Sequence, residues 1–120
     1  MRILVVDDSK AMRMIVSRVL RQAGHGDDTI EEAENGLQAL EVIRADVPDL
    51  VLSDWNMPEM TGIELLRTLQ AERIALRFGF VTSEHTPEMR EQSIAAGALF
   101  LITKPFTPEG FKEVLSSTLA

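Results

Sequence analysis

Ile3-Leu4-Val5-Val6-Asp7-Asp8 sets four apolar residues, three of them β-branched, directly before two carboxylates. An apolar run without polar alternation suits a strand covered on both faces, as in a parallel sheet between helical layers. Leu50-Val51-Leu52, Phe80-Val81 and Phe100-Leu101-Ile102 repeat the pattern, and Thr29 to Ala33 reads as a weaker edge strand. Between the runs lie helical spacings. Met12, Ile15, Val16, Val19 and Leu20 form one stripe, with Gly24 as its stop. Leu37, Leu40 and Ile43 form the next, with Pro48 beyond it. Ile63, Leu66 and Leu69 follow Thr61 and Glu64, whose spacing is that of a capping box. Thr86-Pro87 and Thr107-Pro108 each read as a cap plus first-turn proline, the former helix closing at Gly97 and the latter carrying Phe111, Val114 and Leu115. Five βα units in succession predict an α/β fold, a doubly wound five-stranded parallel sheet with helices on both faces.

Composition narrows the chemistry. The chain has 120 residues, no cysteine and two histidines, which excludes disulfide scaffolds, thiolate metal sites and cysteine nucleophiles. One domain over residues 1–120 is expected at this length. A net charge of −7 argues against direct nucleic-acid binding, whose footprint is basic. Residues 25–64 hold eleven of the nineteen acids and one cation, Arg44. No apolar run is long enough to insert into a membrane and no cationic-then-apolar leader is present, so a cytoplasmic protein is expected.

In doubly wound folds the site lies beyond the carboxyl ends of the strands, where strand order switches. Each apolar run here ends on a reactive side chain. Asp7 and Asp8 follow the first, Ser53 and Asp54 the third, Thr82 and Ser83 the fourth, and Lys104-Pro105 the fifth. Clustered carboxylates repel by about 4 kcal/mol at about 4 Å and an effective dielectric near 20. Lys104 offsets one charge, and a hard divalent ion with oxygen ligands, Mg²⁺ above all, suits the remainder. Carboxylates, Mg²⁺, lysine and a hydroxyl together equip a site for phosphoryl transfer to aspartate.

Asp7-Asp8, Asp54-Trp55-Asn56-Met57-Pro58, Val81-Thr82-Ser83 and Lys104-Pro105-Phe106 occur in the order seen in the response-regulator receiver domain of two-component signalling, and the whole chain resembles that family. The resemblance implies the flavodoxin-like (βα)5 fold with strand order 2-1-3-4-5. It implies that Asp54 is the phosphoacceptor. Asp7 or Asp8, together with Asp54 and the backbone carbonyl of Asn56, then supplies the Mg²⁺ ligands, the sequence leaving open which of Asp7 and Asp8 touches the ion, with Mn²⁺ as a substitute. Lys104 pairs with the acids and then with the phosphoryl group, and the Thr82 hydroxyl turns inward to it. Ser83 controls access, while Asn56 and Glu84 set the lifetime of the phosphoryl state. The Lys104–Pro105 bond is expected cis, and Met57-Pro58 and Gly62 shape the turn before the third helix. The implied partners are a sensor histidine kinase or phosphotransfer protein, for which small phosphodonors substitute, and a downstream protein bound by the face of fourth helix, fifth strand and fifth helix. That face includes Leu101, Pro105 and Phe106. The implied switch catalyses its own phosphorylation and dephosphorylation, as a monomer or a phosphorylation-dependent dimer; with no room for an output domain in this length, it is expected to be either a stand-alone regulator or a receiver excised from a longer protein.

Leu101 departs from the family pattern, which often has an aromatic residue there. Phe100 should face the opposite side of the strand, so output is expected to rest on the loop Ser83–Pro87. The remaining features read as structure. His85 is expected to be an exposed loop residue, Arg13, Arg18 and Arg21 solvated, and Gly79 a place where a helix approaches a strand. Two rival readings are a receiver-shaped interaction module that never takes phosphate and a Mg²⁺-dependent phosphohydrolase of the haloacid-dehalogenase type. The complete acid, hydroxyl and lysine set argues against the first, and the Asp-Asp spacing with no inserted cap against the second. Flavin binding lacks its hydroxyl- and glycine-rich phosphate loop after the first strand.

Overall fold

A computed structural model describes residues 1–119. Strands and helices alternate as β1 (Arg2–Val6), α1 (Lys10–Leu20), β2 (Thr29–Ala33), α2 (Gly36–Ala45), β3 (Leu50–Ser53), α3 (Gly62–Ala71), β4 (Arg77–Thr82), α4 (Pro87–Ala95), β5 (Phe100–Thr103) and α5 (Pro108–Leu119). All four strand pairings are parallel and the order is β2-β1-β3-β4-β5, as the sequence predicts.

The apolar runs divide between two cores because successive strand residues point to opposite faces. Ile3, Val5, Leu50, Leu52, Val81 and Ile102 meet Val16, Val19 and Leu20 of α1 and Phe111 and Leu115 of α5. Leu4, Val6, Val51, Phe78 and Phe80 meet Ala39, Leu40 and Ile43 of α2 and Leu65, Leu66 and Leu69 of α3. Leu101 packs with this second core and Phe100 with the first, so the two do face opposite ways.

Caps stand where the sequence places them. Thr61 and Glu64 form the reciprocal box at α3, and Thr86 accepts from the Met89 N–H ahead of Pro87. Thr107 does the same for the Gly110 N–H at α5. Beyond Leu20 the chain kinks at Gly24, whose φ of +102° is not helical.

Three readings of packing change. Ile15 and Leu37 are exposed, whereas the buried arcs hold Arg13 and Ser17 in α1 and Gly36 and Ala39 in α2. Leu37 lies about 200° of helical turn from Ala39 and therefore faces water. At Gly79 the close neighbour is not a helix. A Cβ there would sit 2.1 Å from the Phe100 ring, which lies across it from β5.

Two helices end in the same motif with different residues. After α4 the Ala98 N–H donates to the Ser93 carbonyl and the Gly97 N–H to that of Ile94, with Gly97 at φ +99°. After α3 the Ile74 and Arg73 N–H groups donate to Leu69 and Gln70, with Arg73 at φ +57°. A left-handed conformation costs a non-glycine residue roughly 1–2 kcal/mol, and glycine's extra freedom in the unfolded chain returns part of that. Arg73 is exposed. The Arg73→Gly protein is expected to gain about 1 kcal/mol of stability in a urea titration; an unchanged or lowered midpoint would contradict the strain.

Candidate functional site

The strands deliver the acids to one edge of the sheet by a short extension of their hydrogen bonding. The Asp7 N–H donates to the Ala33 carbonyl at 3.1 Å and the Asp54 N–H to the Val6 carbonyl at 2.9 Å. Val6 pairs with both Ala33 and Ser53, so Asp7 and Asp54 are the next residues beyond adjacent strand ends. On the other side the Lys104 N–H donates to the Thr82 carbonyl at 2.8 Å, just past the Thr82–Thr103 pair. Backbone register thus brings together side chains separated by up to 97 residues.

Asp7, Asp8 and Asp54 each offer a carboxylate oxygen within 4.8 Å of the others. Asp7 is buried, Asp54 half-buried and Asp8 exposed. Asp7 is fully engaged: Oδ1 accepts from the Ser9 N–H at 2.9 Å and Oδ2 from Lys104 Nζ at 3.0 Å. Lys104 Nζ also lies 3.6 Å from Asp54 Oδ2, bridging the two acids. Asp54 Oδ1 accepts from the Trp55 N–H at 2.7 Å. Asp8 has no ion pair among the described residues. Burial holds the Asp54 carboxyl above the ordinary aspartate range, and the charges of Asp7 and Asp8 push the same way. Lys104 and the Trp55 N–H oppose that rise. A carboxylate disfavoured by burial and by like charges is stabilised by a bound cation. The donors are all oxygens, two of the three carboxylates reach solvent, and one cation already balances part of the charge, which fits a hard ion that retains water.

The remaining predicted residues occupy distinct positions. Thr82 is fully buried at the end of β4, and its Oγ1 accepts from the Glu84 N–H at 3.3 Å. Ser83, Glu84 and His85 are exposed on the loop that follows, and Asn56 is exposed beside Trp55. The Lys104–Pro105 bond is cis. Phe106 leans on Phe111 of α5 with ring centroids 5.1 Å apart, while Pro105 is exposed. Trp55 turns away from the acids into the core, against Phe80 at 4.9 Å.

Two contributors escape the sequence reading. Arg13 is buried rather than solvated, with Nη1 donating to the Asp7 carbonyl at 2.6 Å and Nε to Glu32 at 2.9 Å. Its helical spacing from Val16, Ser17 and Leu20 was the available signal. Arg18 remains exposed, as does Arg21. Gly62, expected only as a turn residue, is a steric requirement. A Cβ there would lie 2.2 Å from the Asp54 carbonyl oxygen and 2.9 Å from the Phe80 ring. The Gly62 N–H also donates to the Trp55 carbonyl at 2.8 Å. Because the obstacle is backbone, Gly62→Ala must move either α3 or Asp54. That protein is expected to lose about 1–3 kcal/mol and to weaken any ligand of Asp54; wild-type stability on thermal unfolding would show that the helix start yields freely.

Residues 3–116 match the response regulator receiver domain family. The chain is 38% identical over 122 residues to a chemotaxis protein CheY homolog of Campylobacter jejuni, covering 99% of this chain and 92% of that one. Among solved structures, the Vibrio cholerae chemotaxis protein CheY4 superposes with a TM-score of 0.84 at 34% identity, over 98% and 97% of the two chains. A CheY-like response regulator receiver domain from Methanospirillum hungatei gives 0.86 at 30% identity, over 98% and 92%.

Proposed function

This chain belongs to the response regulator receiver domain family, of the CheY type, and from that premise we propose that it is a phosphorylation-activated switch with Asp54 as phosphoacceptor. One observation carries the reading. Three carboxylates lie within 4.8 Å of one another under a single lysine that bridges two of them.

Asp54 supplies the attacking carboxylate oxygen. A P–O bond forms to it as the P–N bond of a kinase phosphohistidine breaks, and the departing imidazole nitrogen keeps the electron pair and takes up a proton. With acetyl phosphate as donor, the bond broken is P–O and acetate departs. Asp7, Asp8, Asp54 and the Asn56 carbonyl would hold Mg²⁺, which when bound supplies charge neutralisation at the phosphoryl oxygens. Lys104, 3.0 Å from Asp7 and 3.6 Å from Asp54, stands where an added anionic group on Asp54 would draw it. Ser83 and Glu84 border the entrance, and with Asn56 they govern access and the lifetime of the acyl phosphate.

Thr82 connects chemistry to output. Its hydroxyl accepts from the Glu84 N–H, and turning toward a phosphoryl oxygen would release that contact and free the loop Ser83–Pro87. The face of α4, β5 and α5, with Leu101, Pro105 and Phe106, then presents a changed surface to a protein target. Such a switch is a two-state equilibrium biased by the new charge. Leu101 is partly buried against the core that α2 and α3 cover and carries no ring, which supports the loop, rather than an aromatic rotation, as the moving part. We place the protein in the cytoplasm with a sensor kinase or phosphotransfer protein as donor; no described helix is long and apolar enough to cross a membrane.

The test is intact mass after incubation with Mg²⁺ and acetyl phosphate. One added phosphoryl group, labile at high pH and absent when Mg²⁺ is chelated, is expected. Continuous turnover of phosphate monoesters without a trapped acyl phosphate would point to a hydrolase, and inertness to both would point to a silent interaction module.

A further inference from the structure

Arg13 spans two elements that flank the acid cluster, with its side chain 9% exposed. Its Nη1 reaches back to the Asp7 carbonyl, and its Nε is held by Glu32 of β2. The Asp7 carbonyl belongs to the peptide that joins Asp7 to Asp8, so orienting it sets where the Asp8 chain departs. Every other polar group of Asp7 is already committed: the N–H to Ala33, Oδ1 to Ser9 and Oδ2 to Lys104. Asp8 is exposed and forms no ion pair among the described residues. The Ser9 N–H bond to Asp7 Oδ1 turns the chain around Asp8, and the Arg13 hydrogen bond holds the carbonyl of the peptide that leads into it.

Charge alone does not explain this arrangement. Glu32 neutralises Arg13, leaving the field at the cluster to the three aspartates and Lys104. What the guanidinium adds is its fork, whose nitrogens point to two acceptors at once.

We propose that Arg13 is a positioning residue for the cation site: pinned by Glu32, it holds the Asp7–Asp8 peptide so that both carboxylates converge with Asp54. The inference rests on the Mg²⁺ reading of the site given above. Partners that orient ligands typically contribute 10–100-fold to metal affinity. Lysine keeps the charge but cannot reach both acceptors with a rigid fork.

Mg²⁺ alone is titrated calorimetrically into the full-length wild type, Arg13→Lys and Glu32→Ala, with thermal unfolding recorded without metal. Arg13→Lys is expected to bind Mg²⁺ about 10-fold more weakly, and Glu32→Ala to weaken it less. The Asp8 amide resonance of the metal-free protein should also move in Arg13→Lys. Wild-type affinity in Arg13→Lys, even with lowered thermal stability, would overturn the proposal and leave Arg13 a packing residue. If Arg13→Lys fails to fold, Glu32→Ala decides, because Glu32 is 46% exposed and its loss spares the core; wild-type affinity there overturns the proposal. A wild type that ignores Mg²⁺ would sink the functional reading instead. The Asp8 resonance would then judge the positioning by itself, an unmoved signal overturning it.

Discussion

The Asp54→Asn protein is expected to acquire no phosphoryl group from a small donor or a kinase, while unfolding at a higher temperature than wild type when metal is absent. The loss follows from the nucleophile: an amide oxygen has neither the charge nor the lone-pair basicity to displace a leaving group from phosphorus. The gain follows from electrostatics. Asp54 ionises reluctantly, first because it is buried and then because Asp7 and Asp8 repel it. Its folded-state pKa is above its unfolded value, so the ionised form is disfavoured in the fold. That penalty is absent at pH values below the unfolded pKa, where the group is protonated in both states. It is fully present once the pH has risen through the folded value. Asparagine never ionises, so the stabilisation should be largest near neutral pH and vanish in acid. Lys104 keeps its shorter contact, to Asp7, in either protein. Mg²⁺ should reverse the ranking, since at 100 times its Kd it would stabilise the wild type by about 2.7 kcal/mol through mass action. Phosphate on Asp54→Asn, or equal melting curves at neutral pH without metal, would break the argument at its first or second step.

Lys104→Met separates two duties of the lysine. Its side chain is 13% exposed and its ammonium bridges Asp7 and Asp54. Methionine retains much of the stem's volume and removes the charge, leaving two acids of little exposure without a cation. Breaking a buried pair by deleting one partner typically costs 3–5 kcal/mol. Asp54 is half-buried and either acid can take a proton, so about 3 kcal/mol is expected in metal-free buffer, or roughly 10 °C in Tm. Mg²⁺ should bind this variant more tightly than wild type, since the lysine no longer competes as counter-ion. Phosphorylation should persist at a reduced rate, with the shift of the Ser83–Pro87 loop lost. Mg²⁺ affinity measured in both proteins checks the sign. Weaker binding in Lys104→Met would mean that the lysine shapes the site rather than opposing the metal.

The two variants probe residues that differ in how far local sequence foretells them. Asp54 and Lys104 directly follow apolar runs, and a parallel α/β sheet places such residues at one edge. Their convergence was legible because it depends on period and order alone. Arg13 was not legible as a site residue. Arginine on a helix is ordinarily solvated, and its burial here depends on an acceptor from β2 and a carbonyl six residues back. Trp55 shows the same limit. Adjacent to Asp54 in the chain, it turns its ring into the core against Phe80 rather than toward the acids.

Glycines mark the boundary most clearly. Gly97 stands after α4 in a left-handed conformation that a sequence reader expects of it. Gly62 looks like one more turn residue, yet the Asp54 carbonyl 2.2 Å from its missing Cβ gives it a different task. By itself the sequence determined the alternation of strands and helices, the sheet's two-sided burial, the caps, and the list of acids, hydroxyl and lysine at the strand ends. Each of these follows from residues within one turn or one strand of each other. The tertiary structure decided the charge balance at the site, the burial of Arg13, the clearance at Gly62 and the bridging by Lys104. Those depend on distances between atoms far apart in the chain, and such distances exist only after both cores have packed against the sheet.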